Sequence, residues 1–322
     1  MIAQFSKKKH NQWDKYINEL TFAFNSAISK STGFSLAYLN YGRELTLQEV
    51  SMNHVQTTCE QTPVWNDYKK HVVAFLASMC FFGAINQDQL GIQAVQGVIF
   101  ILISENTFFP MYGTLSLIPQ QFSLFLREYE DGLYSVHVYY LSQVIALLPG
   151  LALESIVFTT IVYWLSDLSN SITEFCLTLF IILLTINVST ACGFFFSTSF
   201  ENVALAMAYL VPFDYLLMIT MGLFIKLSSL PIYIQWIKYI SWLFYSTEAI
   251  SIIQWRHVNN ISCNNLTADF PCITNGEKVL ELYDFSECSF LADIYSMIAL
   301  YILFHLLGYY NLLKKCQSRN FF

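Results

Sequence analysis

Charge is scarce in this sequence: only 12% of its 322 residues are Asp, Glu, Lys or Arg. Soluble domains carry about 25%, so water is excluded as the solvent of most of the chain. Basic residues are not in excess either. The net charge of -7 argues against nucleic acid as a partner of the whole chain. No Gly-x-x-x-x-Gly-Lys-Ser/Thr stretch occurs, so nothing here is built to cradle nucleotide phosphates, and no ATP hydrolysis by the chain alone is expected. The N-terminal MIAQFSKKKHNQW is basic, but no apolar core follows it, so it does not read as a signal peptide. No catalytic residue and no metal-ligand set is assigned.

What the sequence has instead is apolar surface, 55% hydrophobic and 17% aromatic, gathered into runs. A helix rises about 1.5 Å per residue and needs roughly 20 residues to cross about 30 Å of hydrocarbon. Runs near that length lie at about 93–112, 138–165, 175–196, 203–227 and 294–313, with a shorter one at 72–85. The expected fold class is therefore an all-α membrane protein with six transmembrane helices. The short first run is expected to use Lys69 and Lys70 as snorkelling flanks. Pro212 is expected to kink the fifth span. Lys69-Lys70 before the first span and Lys314-Lys315 after the last place both termini in the cytoplasm. The loop 228–293 is then extracellular or lumenal, and it carries two sequons, at Asn260 and Asn265. Asn187-Val188-Ser189 is a third formal match, discounted because it lies within a span.

Cys80, Cys176 and Cys192 sit in apolar runs and read as packing residues. Cys263, Cys272 and Cys288 share the polar loop and suggest an oxidising compartment, with one pair and one spare as the simplest arrangement. Three acids lie within spans, Glu105, Glu154 and Asp214. Each is costly in a bilayer and needs a partner or a wet wall. Leu230 to Trp255 is aromatic and too irregular for another crossing. It is expected to re-enter or to lie at the outer interface, with Trp236, Trp242 and Tyr245 as an aromatic belt.

Residues 1–62 are polar and differ from the rest. Trp13, Tyr16, Ile17, Leu20, Phe24 and Ala27 recur at helical spacing, and Ser31-Thr32-Gly33 ends the pattern. With Trp13-Asp14, Phe22-Ala23-Phe24-Asn25, Ser31 to Ser35 and Tyr41-Gly42-Arg43, this stretch resembles the end of the integrase core of long-terminal-repeat retrotransposons. The metal-binding carboxylates of that family lie upstream of the matching fragment, so no strand transfer is expected. Residues 1–62 are taken as a small soluble helical remnant.

Residues 63–322 carry a second resemblance. Its motifs are Gly91-Ile92-Gln93, Asn106-Thr107-Phe108, the stretch from Pro119 to Pro149, Phe158 to Tyr163, Asn187 to Ala191, and Pro231 to Trp242. Together they resemble the membrane half of ATP-binding-cassette transporters of subfamily G, the white/scarlet/brown group with an ABC-2 type membrane domain. The resemblance implies a six-helix half-transporter working as a dimer. It implies a coupling helix at Phe122, Phe125, Arg127 and Glu128, and a central cavity lined by Phe108, Val211, Tyr215 and Met218. It also implies an outer apolar plug at Leu223 and Phe224, and a loop disulfide between Cys263 and Cys272. Glu105 and Asp214 depart from the family pattern. They either bind a cationic group of the substrate or are drift in a chain no longer under selection.

The function implied is ATP-driven movement of small aromatic or lipophilic molecules of pigment-precursor type. The setting implied is a plasma membrane or pigment-granule-type membrane. ATP and Mg would act through a nucleotide-binding domain supplied elsewhere. The partners implied are another subfamily G half-transporter carrying that domain, the lipid bilayer and the small-molecule substrate, with no nucleic acid. The alternative is a cassette-less subunit that only dimerises with intact transporters, without transport of its own.

Overall fold

The computed structural model describes residues 64–85, 88–169, 171–224, 235–262 and 273–319. From Tyr68 onward they form one compact unit. The integrase-like segment, Cys263, Cys272 and Asn265 lie outside the described residues.

The described chain is helical. In order it forms α1 (Val64–Phe81), α2 (Gln89–Leu115), α3 (Leu117–Glu130), α4 (Val136–Leu165), α5 (Ile172–Ser199), α6 (Val203–Ile219), α7 (Trp242–Trp255), α8 (Gly276–Leu282) and α9 (Phe290–Arg319). Short 3-10 turns at Trp236–Tyr239 and Glu287–Ser289 precede α7 and α9.

The centre of the bundle is α5, which packs against α2, α9, α7, α4, α3 and α6. Its sequence explains why. It is apolar all round, the pattern of a helix surrounded by protein or lipid, and its polar groups are small hydroxyls that disappear into contacts. Ser189 Oγ donates to the Thr107 carbonyl on α2, and Thr185 Oγ1 bonds Ser246 Oγ on α7 at 2.7 Å. Gly193 lets α2 come closer still. A Cβ there would lie 1.9 Å from Thr114 Oγ1 and 2.7 Å from the Met111 carbonyl. Ser189 and Gly193 thus form the small-xxx-small face on which membrane helices approach closely.

Among the described residues, four helical segments are long and apolar enough to cross a membrane: Gln89–Glu130, Val136–Leu165, Ile172–Ser199 and Glu287–Gln317. Two further apolar helices, Lys70–Phe81 and Val203–Ile219, are shorter. The outward residues of α4 and α9 are apolar as well. Leu141, Ile145 and Leu153 on α4, and Leu291, Ile302 and Leu306 on α9, are exposed on the bundle surface. Such a surface matches lipid as solvent.

Several sequence expectations change. The fifth run, expected to reach 227, leaves the helix at Ile219. Thr220 Oγ1 caps the Leu216 carbonyl at 2.9 Å, and Gly222 takes a φ of 90° that side chains disfavour. The first helix ends at Phe81 rather than 85, followed by a turn through Gly83 with φ 72°. The aromatic stretch before residue 255 is not a belt. Ser241 caps α7 by accepting the Phe244 N–H, and α7 is buried against α5, α2 and α9. Trp242 and Tyr245 are core residues, and Trp236 alone of the three is exposed. Among the span cysteines only Cys192 is buried, whereas Cys80 and Cys176 face outward. Their surroundings in a bilayer are lipid rather than protein.

Candidate functional site

α2 and α6 face each other across a cleft of about 360 Å³. Its walls are Phe108, Tyr112, Val211, Asp214, Tyr215 and Met218. Local sequence explains the arrangement. Phe108 and Tyr112 stand four residues apart on α2, and Val211, Tyr215 and Met218 follow at helical spacing on α6, so each set shares a helix face. Asp214 and Leu217 belong to the adjoining buried stripe of α6. All four residues expected to line a cavity border this one cleft. Tyr112 was missed as a wall, although its i+4 relation to Phe108 was the available signal.

Asp214 is the anomaly of this wall. Its side chain is 6% exposed, and neither carboxylate oxygen has a hydrogen-bond partner among the described residues. The Tyr112 hydroxyl stands beside it, close enough to interact, without hydrogen-bond geometry.

Leu223 and Phe224 occupy a different place. They border a larger cleft of about 810 Å³ with Phe81, Gly97, Phe100 and Tyr283. There Phe224 meets Phe100 edge to face at 5.3 Å. The two positions expected to close a cavity therefore do not share a wall with Phe108.

α3 is amphipathic, and the structure sorts its four marked residues by face. Phe125 is buried against Tyr139 at 4.0 Å between ring centroids, and Phe122 lies under the Lys315 ammonium at 5.9 Å. Glu128 accepts a hydrogen bond from Tyr134, so it is engaged within the chain. Burial, with Glu128 adding to it, pushes the Tyr134 hydroxyl up to about 12. Arg127 points outward and is exposed.

A second polar cluster had no counterpart in the sequence reading. Lys70 on α1 is 1% exposed and sits 3.3 Å from Glu154 on α4. Its ammonium also donates to Asn106 Oδ1 on α2 at 3.3 Å, and Ser155 Oγ reaches the same oxygen at 2.6 Å. The Phe158 ring lies 5.4 Å below the charge. The Glu154 contact has ion-pair distance without the alignment of a hydrogen bond. Lys70 is thus not a snorkelling flank. Pairing with Glu154 and Asn106 makes burial cheaper than reaching for water. Two opposite charges on separate apolar helices were the signal that went unread.

At the start of α2, Gln89 clasps the Ile273 backbone through both its amide groups, and Asp88 pairs with Ser262. Asn260 beside it is exposed. Glu248 on α7 accepts the Ser286 N–H at 3.0 Å. No cluster of three or more metal-ligating side chains occurs among the described residues.

Comparison with known proteins agrees with this architecture. A family profile described as "ABC-2 type transporter" matches residues 58–255. Protein scarlet of Drosophila melanogaster is 47% identical over 250 residues, covering 78% of this chain and 38% of that protein. Protein white of the same organism is 29% identical over 250 residues, covering 77% of this chain and 36% of its own length. Protein brown is 27% identical over 240 residues, with 74% and 35% covered. The chain thus spans little more than a third of the length of these relatives.

Proposed function

The chain belongs to the ABC-2 type transporter family, and on that premise we propose that it is the membrane subunit of an ATP-driven transporter for small aromatic molecules. The observation that carries this reading is the cleft between α2 and α6, with Phe108, Tyr112 and Tyr215 around one volume. Aromatic faces stack on flat ligands, and Met218 adds an adaptable thioether. A volume of about 360 Å³ is within the range of small-molecule sites.

In this reading the membrane unit crosses six times. α1 and α6, short at 18 and 17 residues, are completed by local thinning of the bilayer, and both ends are cytoplasmic. α3 docks on a nucleotide-binding domain through its outward side. Phe122 and Phe125 anchor it to the bundle, and Arg127 supplies the contact charge. That domain brings ATP and Mg, and it belongs to a second half-transporter of the same family. Leu223 and Phe224 close the path on the outer side. Asn260 and Asn265 carry glycans, and Cys263 bonds Cys272. Peptide N-glycosidase treatment and non-reducing electrophoresis are expected to shift the band in turn. Absence of either shift removes the corresponding feature.

The test of the whole reading is co-expression with a cassette-bearing family member, purification, and uptake into vesicles. The expected result is a stable complex with ATP-dependent uptake of an aromatic solute, cut about tenfold by Tyr215→Ala, the loss of a stacking wall. A complex that forms without any uptake would instead support a partner that dimerises without transporting. No complex at all overturns both.

A further inference from the structure

A separate cavity of about 330 Å³ lies at the end of the bundle opposite α3. Its walls come from the turn before α2, the turn between α4 and α5, and the end of α7 with the chain just after it. Three carboxylates border it, Asp88, Asp167 and Glu174. Asp88 accepts from Ser262, Glu174 accepts from Ser169 at 2.5 Å, and Asp167 is exposed. Acids at a surface are solvated and need no further partner. Gln254 and Trp255, the last two residues of α7, are in a different position. They are 8% and 6% exposed, and both line the cavity. Gln254 Nε2 and Trp255 Nε1 have no hydrogen-bond partner among the described residues. Buried N–H groups without an acceptor are costly and call for an explanation.

The two sets of groups restrict the occupant. N–H donors require acceptor oxygens, and carboxylates require donors. A free anion is repelled by the acids, and a metal ion leaves both N–H groups unpaired. A neutral polyhydroxylated ring carries donors and acceptors together, and its C–H faces suit apolar wall residues such as Val258 and Ile261. The chain itself supplies the attachment point for such a ring. Ile261, in the wall, is the middle residue of the sequon Asn260-Ile261-Ser262. Asn260 is exposed, and the backbone on either side of it is held: Ile261 N–H donates to the Thr274 carbonyl at 3.0 Å, and the Val258 carbonyl accepts from Gly276 at 2.9 Å. A tethered group has a high effective concentration at a nearby site, so a few hydrogen bonds suffice to seat it.

We propose that this cavity seats the first N-acetylglucosamine of a glycan carried by Asn260. Sugar oxygens accept from Gln254 Nε2 and Trp255 Nε1, and sugar hydroxyls donate to Asp167 and Glu174. The inference rests on the reading of Asn260 as a glycosylated residue and adds where its glycan goes. Seated there, the sugar ties the α4–α5 turn to the end of α7, two segments far apart in the sequence.

The test is the rate at which peptide N-glycosidase releases the glycan from the full chain, made in cultured mammalian cells with Asn265→Gln so that Asn260 is the acceptor of the loop. Mass spectrometry follows release from the native chain in detergent and from the denatured chain. The expected result is complete release after denaturation and release at least about tenfold slower from the native chain. Trp255→Phe and Gln254→Leu are each expected to speed native release about fivefold, the effect of losing one hydrogen bond. If Asn260 carries no sugar even after denaturation, the glycosylation reading falls and the inference falls with it. If the sugar is present but leaves native and denatured chains equally fast, glycosylation stands and the seating is wrong. Slow native release indifferent to both variants also overturns the seating, because the protection then comes from elsewhere. Should both variants fail to fold, Asn260→Gln gives the answer instead. Hydrogen exchange in segment 167–174 is expected to rise without the sugar, and unchanged exchange overturns the proposal.

Discussion

Glu154 on α4 and Asp214 on α6 are both carboxylates in apolar helices, and their surroundings are opposites. Glu154 faces the interior junction of α1, α2 and α4, where Lys70 supplies the opposite charge and Asn106 and Ser155 complete a hydrogen-bonded set. Asp214 faces a cleft with aromatic walls and, among the described residues that line it, no Lys, Arg or His. A charge that the chain itself neutralises holds helices together. One at a cavity wall with only the Tyr112 hydroxyl beside it adds no such tie between charges. The contrast separates two acids that look alike in the sequence.

Mutation should break this contrast in a definite order. Glu154→Ala removes the ion-pair partner of the buried Lys70, and is expected to cost about 3–5 kcal/mol of stability. The double change Lys70→Met with Glu154→Leu should recover most of that loss, because an apolar pair of similar size replaces the ion pair. Thermal unfolding of the purified chain in detergent reads both. A single variant as stable as wild type would show that the pair holds nothing together.

Gly193→Ala tests the scaffold that brings α2 to its place beside the cleft. The added methyl meets Thr114 and the Met111 backbone, and overpacking of this kind costs about 1–3 kcal/mol. Unchanged melting would mean that α2 and α5 separate freely. Asp214→Leu should move stability the other way, upward by about 1–2 kcal/mol, since it removes an unsatisfied buried group. If it destabilises as strongly as Glu154→Ala, Asp214 has a structural partner and the contrast collapses.

The smallest effect belongs to Tyr134, which lies before α4 and bonds Glu128. Its hydroxyl is raised from 10.0 to about 12, so the folded state holds the proton more tightly than the unfolded chain does. That contribution is complete below about pH 10 and is lost as pH rises through about 12. α3 should therefore loosen in that window, and Tyr134→Phe should remove the dependence. Fluorescence of a label on α3 reports it.

The match between expectation and structure is uneven for physical reasons. Helix runs were legible because hydropathy is local, and the stretch 138–165 differs from α4 only at its start. Phe108, Val211, Tyr215 and Met218 came from family resemblance, and the fold brings them to one cleft. The early end of α6 was not legible, because Thr220 and Gly222 look like tolerable residues within an apolar run. Trp242 and Tyr245 were misplaced at an interface because composition alone does not distinguish a buried aromatic helix from a belt.

Sequence by itself determined that this is a helical membrane protein, which residues form its long apolar runs, and that three acids lie among them. Those properties are sums over neighbouring residues, so the order of the chain suffices. Only the tertiary structure decided which acid is paired. Lys70 and Glu154 are 84 positions apart by their numbers, and an ion pair depends on the distance between charges in space. Packing three helices at one junction brought that pair to 3.3 Å and left Asp214 facing the cleft.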